Sequence, residues 1–233
     1  MQKAIITDLN RCVGCLACGV ACKAINDVPI GKFWNRVMRV GPNPEFEDAD
    51  YPDVYMYFVP MTCQHCADAP CTTVCPTGSS FKEDDGVVSV TAKTCIGCGA
   101  CLSACPYGVR YLNDDTHVAE KCTLCKDKID SGELEVPQCV TLCGGNARWY
   151  GDLDEGYDSF VGTQQTDGEW TGERHKMMDF IEPFTEDDVY REPDSGNGPQ
   201  FLYILRRHAW RGGDESAIRY DMSRGDGHVE FPV

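Results

Sequence analysis

The sequence has no long apolar run. Its richest apolar window, Tyr55–Pro60, is far shorter than the ~20 residues that span a bilayer, so no direct membrane insertion is expected. The segment from Met1 to Leu9 meets Cys12 before a secretory core and cleavage site would fit, so export would need a partner carrying the signal. Basic charge is scarce. Against 37 Asp+Glu stand 21 Lys+Arg, a formal net charge of −16, and like-charge repulsion argues against nucleic-acid or anionic-membrane partners. A nucleotide-phosphate loop, a flavin fingerprint, a nucleophile elbow and an H-E-x-x-H motif are all missing. The five histidines (65, 117, 175, 208, 228) are scattered. His65 lies between two cysteines of an already complete group of four, so it reads as packed or solvent-facing. No catalytic site is expected on this chain.

Cysteine is missing from the last 90 residues, yet the chain holds 16. They fall in four groups of four: Cys12, Cys15, Cys18, Cys22; Cys63, Cys66, Cys71, Cys75; Cys95, Cys98, Cys101, Cys105; and Cys122, Cys125, Cys139, Cys143. A disulfide scaffold spreads its cysteines to staple distant loops, whereas two- and three-residue gaps suit ligands converging on one centre. Groups one and three read C-x2-C-x2-C-x3-C and agree at seven of eleven positions, an internal repeat offset by 83. That spacing is the bacterial ferredoxin signature, in which three thiolates hold one [4Fe–4S] cube and the fourth reaches a neighbouring cube. Small residues between them (Gly14, Gly97, Gly99, Ala100) let the backbone fold tightly round a cluster. Group two has two extra residues before its third cysteine, and group four has 13 residues in that gap. Zinc in an all-thiolate site would suit groups two and four tolerably, and groups one and three badly.

Crossed ligation requires groups to work in pairs. Groups two and three are 19 residues apart and read as one two-cluster module inserted in the chain, leaving groups one and four to pair across it. The expected clusters are Cys12, Cys15, Cys18 with Cys143; Cys22 with Cys122, Cys125, Cys139; Cys63, Cys66, Cys71 with Cys105; and Cys75 with Cys95, Cys98, Cys101. The expected fold is α+β: a first ferredoxin-like module from residues 1–50 and 106–150, a second over 51–105, and an acidic arm over 151–233. Strands are expected at Lys3–Thr7, Tyr55–Val59, Val87–Val90, Val109–Leu112 and Ala147–Tyr150. Short helices should follow the ligand loops, near Leu16–Asn26, Leu102–Ala104 and Thr123–Ile129. The arm carries 19 acidic and 8 basic groups, and only Gln200–Leu205 looks strand-like. It reads as an extended segment with little core, ordered on a partner through Trp170, Phe180, Phe184, Tyr190, Phe201, Tyr203 and Trp210; a disordered acidic tail is the alternative.

A cube with four cysteine ligands leaves no open position for substrate, so one-electron transfer is the expected task, and four cubes make a wire. Each oxidised cube adds about −2, which favours partners with basic faces. Lys23, Lys121, Lys126 and Arg110 are candidates for raising local potentials, with solvated surface positions the plain alternative. Three classes remain open: a relay subunit, a free-standing polyferredoxin or electron-input subunit of a hydrogenase or formate dehydrogenase, and a cysteine-rich adaptor.

Several stretches narrow this. Cys63-Gln-His-Cys66 with Ala69-Pro70-Cys71, Val74-Cys75-Pro76-Thr77-Gly78, Cys105-Pro106-Tyr107-Gly108-Val109-Arg110, Glu120-Lys121-Cys122-Thr123-Leu124-Cys125 and Ala147–Asp154 resemble the iron–sulfur subunit of the dimethyl sulfoxide reductase family. The likeness covers roughly residues 1–155. It implies four [4Fe–4S] clusters here and molybdenum with bis-molybdopterin guanine dinucleotide on a large catalytic partner. It also implies a quinol-linked membrane anchor subunit or soluble carrier as the other electron partner. The resemblance further implies a membrane-associated complex on the periplasmic face, exported through a twin-arginine signal on the partner, with cytoplasmic residence as the alternative.

Overall fold

The structure, a computed structural model, describes residues 1–43, 55–166, 170–208, 210 and 218–221. In chain order the strands are β1 (Lys3–Asp8), β2 (Asn35–Asn43), β3 (Tyr55–Thr62), β4 (Ser80–Lys82), β5 (Val88–Val90), β6 (Tyr111–Leu112) and β7 (Ala119–Glu120). They continue with β8 (Arg148–Asp152), β9 (Val161–Thr166), β10 (Trp170–Lys176), β11 (Val189–Tyr190), β12 (Leu202–Ile204) and β13 (Ile218–Asp221). The helices are short: α1 (Ala17–Ile25), α2 (Pro70–Thr73), α3 (Ala100–Ser103), α4 (Lys126–Asp130), α5 (Gln138–Thr141) and α6 (Met177–Phe180). Among the described residues none is long and apolar enough to cross a membrane.

β1 organises the larger sheet, whose strand order is β10-β9-β8-β1-β12-β11. Its apolar run Ala4-Ile5-Ile6 is at most 1% exposed, as a strand covered on both faces requires. β8 pairs antiparallel to it, Thr7 opposite Arg148, and β12 pairs parallel, Ile6 opposite Leu202. A second sheet, β13-β2-β3, joins strands from either side of the expected boundary at residue 50. Two hairpins, β4–β5 and β6–β7, complete the mixed α/β content. The strand-like stretch Val109–Leu112 shortens to β6, because Arg110 turns inward to a sulfur rather than along a ladder.

The acidic region after Gly151 differs from its expected form. The described residues between 160 and 205 do not extend away; they supply four strands of the main sheet, β9, β10, β11 and β12, and a large part of its core. Phe160, Met177, Phe201, Leu202, Tyr203, Ile204 and Leu205 are all buried. Each such side chain contributes roughly 1.5–3 kcal/mol on burial, enough to outweigh the charge density that made the segment look solvated. Trp210 stacks on Tyr190 with ring centroids 5.3 Å apart. The side chain of Trp170, residues 211–217 and residues 222–233 lie outside the described part, as does the boundary at residue 50.

Candidate metal centres

The ligand loops share one backbone device. The residue two after the first cysteine of each group has a left-handed conformation: Gly14 (φ 66), His65 (φ 43), Gly97 (φ 66) and Leu124 (φ 57). Such a turn aims successive backbone N–H groups into one concavity, a geometry suited to anionic sulfur. Glycine is required at two of these positions. A Cβ on Gly14 would come within 2.6 Å of the Phe58 ring, and one on Gly97 within 2.6 Å of the His117 carbonyl oxygen.

Folding gathers all sixteen cysteines round four cavities. Site 1 is lined by Cys12, Cys15, Cys18 and Cys143. Site 2 is lined by Cys22, Cys122, Cys125 and Cys139. Cys63, Cys66, Cys71 and Cys105 line site 3. Cys75, Cys95, Cys98 and Cys101 line site 4. Every thiol is free of disulfide bonding.

The donor set fits a cluster better than a single ion. A tetrahedral zinc site brings four sulfurs within ~2.3 Å of one point. Among the described residues no group of three or more His, Cys, Asp or Glu side chains converges in that way. Four thiols instead surround a space, as the corners of a cube require.

Hydrogen bonds to sulfur come from backbone and side chains. Ser80 N–H donates to Cys75 Sγ (3.4 Å), Leu124 N–H to Cys122 Sγ (3.4 Å) and Ala147 N–H to Cys143 Sγ (3.3 Å). Asn26 Nδ2 lies 3.6 Å from Cys22 Sγ and 3.8 Å from Cys125 Sγ. Arg110 Nη2 donates to Cys71 Sγ at 2.9 Å, and Asn197 Nδ2 to Cys66 Sγ at 3.1 Å. Such donors stabilise thiolates and the added charge of a reduced cluster.

Burial pushes the thiols of Cys12, Cys66 and Cys139 up to about 12. Cys63 goes the other way: burial raises it, but His65 and Lys121 beside it bring it down to about 5. Cys75 is lowered to about 7, mainly by the Ser80 N–H. The buried thiols of Cys12, Cys66 and Cys139 are protonated in the isolated chain, so loading metal at their sites releases protons.

His65 is fully buried and stacks on Phe201. Its Nδ1 accepts the Val88 N–H at 3.0 Å, and its ring stands against Cys63 and Cys122, from sites 3 and 2. Of the four candidate cations, Arg110 and Lys121 are buried at the sites. Lys23 and Lys126 are elsewhere. Lys23 Nζ donates to the Pro29 and Lys32 carbonyls, and Lys126 pairs with Asp85 and Asp130. Neighbouring carbonyls and carboxylates outcompeted the thiols for both.

Three contributors escaped the sequence reading. Arg148, 2% exposed, lines both site 1 and site 2. Its one signal was a charged residue inside the apolar strand motif Ala147-Arg148-Trp149. Asn26 follows the first group by four residues, one helical turn past Cys22. Asn197 carries no local signal, since its partner lies 131 residues away.

Known proteins agree with this chemistry. The profile of a family described as a 4Fe-4S dicluster domain matches residues 54–153. The chain is 38% identical over 203 residues to the thiosulfate reductase electron transfer subunit PhsB of Salmonella typhi, covering 87% of this chain and 91% of that protein. It is 34% identical to a tetrathionate reductase subunit of Salmonella typhimurium over 201 residues, 86% of this chain and 71% of the relative. It is 41% identical to a sulfite dehydrogenase subunit of Allochromatium vinosum over 174 residues, 66% and 70% respectively. With ligand loops, free thiols and these relatives in agreement, the chain belongs to the iron–sulfur electron-transfer subunits of the molybdopterin oxidoreductase family.

Proposed function

We propose that the chain carries four [4Fe–4S] clusters, one in each of sites 1–4, and relays electrons between a molybdopterin-containing catalytic subunit and an external donor or acceptor. The clusters supply one-electron oxidation and reduction. The protein holds them by the cysteine sets of the four cavities, excludes water and donates hydrogen bonds to their sulfurs. Groups one and four form one two-cluster module in this reading, and groups two and three form the module inserted in it.

One observation carries the relay: exposure falls at the two outer sites. Only Cys15, in site 1, and Cys98, in site 4, are exposed; every site 2 cysteine is buried. Both exposed cysteines follow exposed apolar residues, Val13 and Ile96, each 66% accessible and equivalent in the internal repeat. Leu142 beside site 1 and Val74 beside site 4 are exposed as well. Such apolar surface next to a redox site suits a docking face, and these two would serve the two electron partners. The outer partner would be a quinol-linked membrane subunit or a soluble carrier. The complex would work on the periplasmic side, exported with its catalytic partner.

The test is metal and cofactor analysis of the natively purified complex. The expected result is about 16 irons per chain, four clusters by low-temperature electron paramagnetic resonance (EPR), and a large molybdenum-bearing chain alongside. Zinc in place of iron, fewer than three cubes after anaerobic preparation, or a chain without a molybdenum partner overturns the reading. Val13→Glu and Ile96→Glu should each slow exchange with one partner and spare the other.

A further inference from the structure

Three cations lie deep in the protein: Lys121, Arg148 and Arg110 are 1%, 2% and 7% exposed. Among the described residues none of them pairs with a carboxylate. A buried charge without a counter-charge is strongly destabilising, so each must face anions of another kind. Their surroundings identify those anions as the thiolates of the metal sites.

Each cation occupies a different junction. Arg148 lines sites 1 and 2 together. Its Nη1 donates to Asn35 Oδ1 at 3.5 Å, and Asn35 lines site 2 as well. Lys121 Nζ donates to the carbonyl oxygen of Val88, a lining residue of site 3, and to that of Cys122 in site 2. Arg110 Nη2 bridges Cys71 Sγ of site 3 at 2.9 Å and Ser80 Oγ at 3.1 Å. Ser80 lines site 4, and its N–H donates to Cys75 Sγ there. The contacts therefore give a linear order, site 1 to site 4, with one cation at each of three steps. Buried donors point the same way: among the described residues Arg148 Nε and Arg110 Nη1 meet no hydrogen-bond partner.

We propose that Arg148, Lys121 and Arg110 are junction cations, each offsetting the repulsion between two consecutive clusters and favouring the arrival of an electron on either one. Neighbouring cubes are like-charged, and each reduction adds one more negative charge to a pair that already repels. A fixed cation between them stabilises charge on both flanks. It therefore raises both potentials together and keeps the step between them small. The Coulomb interaction falls with distance, so each cation acts most strongly on its two adjacent sites, where burial leaves it unscreened. These are positioning charges and do not ligate iron. The inference rests on the four-cluster relay reading.

The experiment uses the holo-complex, titrated potentiometrically with low-temperature EPR detection of each cluster. Arg148→Gln should lower the potentials of the clusters in sites 1 and 2, Lys121→Met those in 2 and 3, and Arg110→Gln those in 3 and 4. The expected shift is a tenfold loss in each one-electron equilibrium, about 59 mV. The inner clusters thus respond to two variants each, and the outer clusters to one. Arg148→Lys, Lys121→Arg and Arg110→Lys should hold potentials near the parent values. A shift spread evenly over all four clusters, or none, overturns the inference. Where a neutral variant loses a cluster, the charge-retaining one decides: parent-like potentials support the proposal, and the same loss assigns the residue to packing. Iron content separates the two levels. Fewer than four clusters in the parent protein sinks the relay reading, whereas four clusters with unmoved potentials sinks this inference alone.

Discussion

Asn197 donates its side-chain amide to the sulfur of Cys66 at 3.1 Å, across 131 residues of chain. The contact is held from both ends. Asn197 Nδ2 also reaches Tyr107 Oη at 2.8 Å, and that hydroxyl donates to the Pro193 carbonyl. Asp194 Oδ1 collects the N–H groups of Gly196, Asn197 and Gly198, which fixes the loop. The loop then accepts Ala67 N–H on the Gly198 carbonyl and Asp68 N–H on that of Asn197. A segment expected to extend as an arm onto a partner therefore clamps the ligand loop of site 3 within this chain.

Asn197→Leu removes one donor from that site and should lower its cluster's potential. A hydrogen bond of about 1 kcal/mol corresponds to on the order of 40 mV for a one-electron couple. Asn197→Asp, which adds a negative charge, should lower it further. An unchanged potential at site 3 with full iron content would show that the amide serves packing alone.

Cys143→Ser tests the crossed assignment of the fourth group. The substitution should alter the EPR signal and potential of the cluster held with Cys12, Cys15 and Cys18. The cluster of Cys122, Cys125 and Cys139 should stay as it is, although those residues precede Cys143 in its own group. A change at site 2 alone would reverse the pairing.

Metal chemistry is far more legible in this sequence than the packing that supports it. Ligand loops are local: spacing and small residues encode them over eleven positions, and their turns appear where Gly14 and Gly97 stand. β1, β3 and β8 were readable from β-branched and aromatic runs. β2 was not, because Pro42, Asn43 and alternating arginines mask its pattern. β12 is legible at Gln200–Leu205, but β9, β10 and β11 lie hidden in a segment of high charge and glycine content. The docking of this segment depends on contacts such as Ile6 with Leu202, which no local window contains. Arg148 and Asn197 were missed for the same reason, since each acts on residues distant in the chain.

Arg206 pairs with Asp8 at 2.8 Å, and Asp8 is fully buried. Arg206→Met would strand that carboxylate and should destabilise the protein by about 3–5 kcal/mol. The check is the denaturant midpoint under anaerobic conditions. Adding Asp8→Asn to the variant should recover much of the loss, and a single variant as stable as the parent would remove the ion pair from the stability account.

Iron removal should collapse the fold rather than empty it. Cys63, Cys66, Cys71, Cys101 and Cys122 belong to one hydrophobic core, and Cys18 and Cys139 to the other. Chelation under reducing conditions is expected to abolish strand circular dichroism in one cooperative step. A chelated chain that keeps its spectrum would contradict this.

Asp152 accepts N–H groups from Gln2 at 2.9 Å and Asp154 at 3.1 Å, and pairs with Lys3 at 3.5 Å. Burial works to raise its carboxyl, and those three partners lower it below the usual range. A depressed folded value means the stabilisation is complete above the ordinary carboxylate pKa, about 3.9, and is lost as pH falls through the folded value. Asp152→Asn should therefore lower the melting temperature at neutral pH and flatten its decline below about pH 4. Equal slopes for the two proteins in acid would refute the assignment.

The parallel pairing of β1 with β12 also sets a timetable for biosynthesis. Asp8 leaves the ribosome first, and its partner Arg206 follows 198 residues later. At ~5–20 residues per second that is a wait of about 10–40 seconds. Throughout it the opening strand has a bare edge, and site 3 lacks its Asn197 clamp. Cysteines displayed by such a nascent chain are open to wrong metals and oxidants, so cluster insertion is best timed to follow translation.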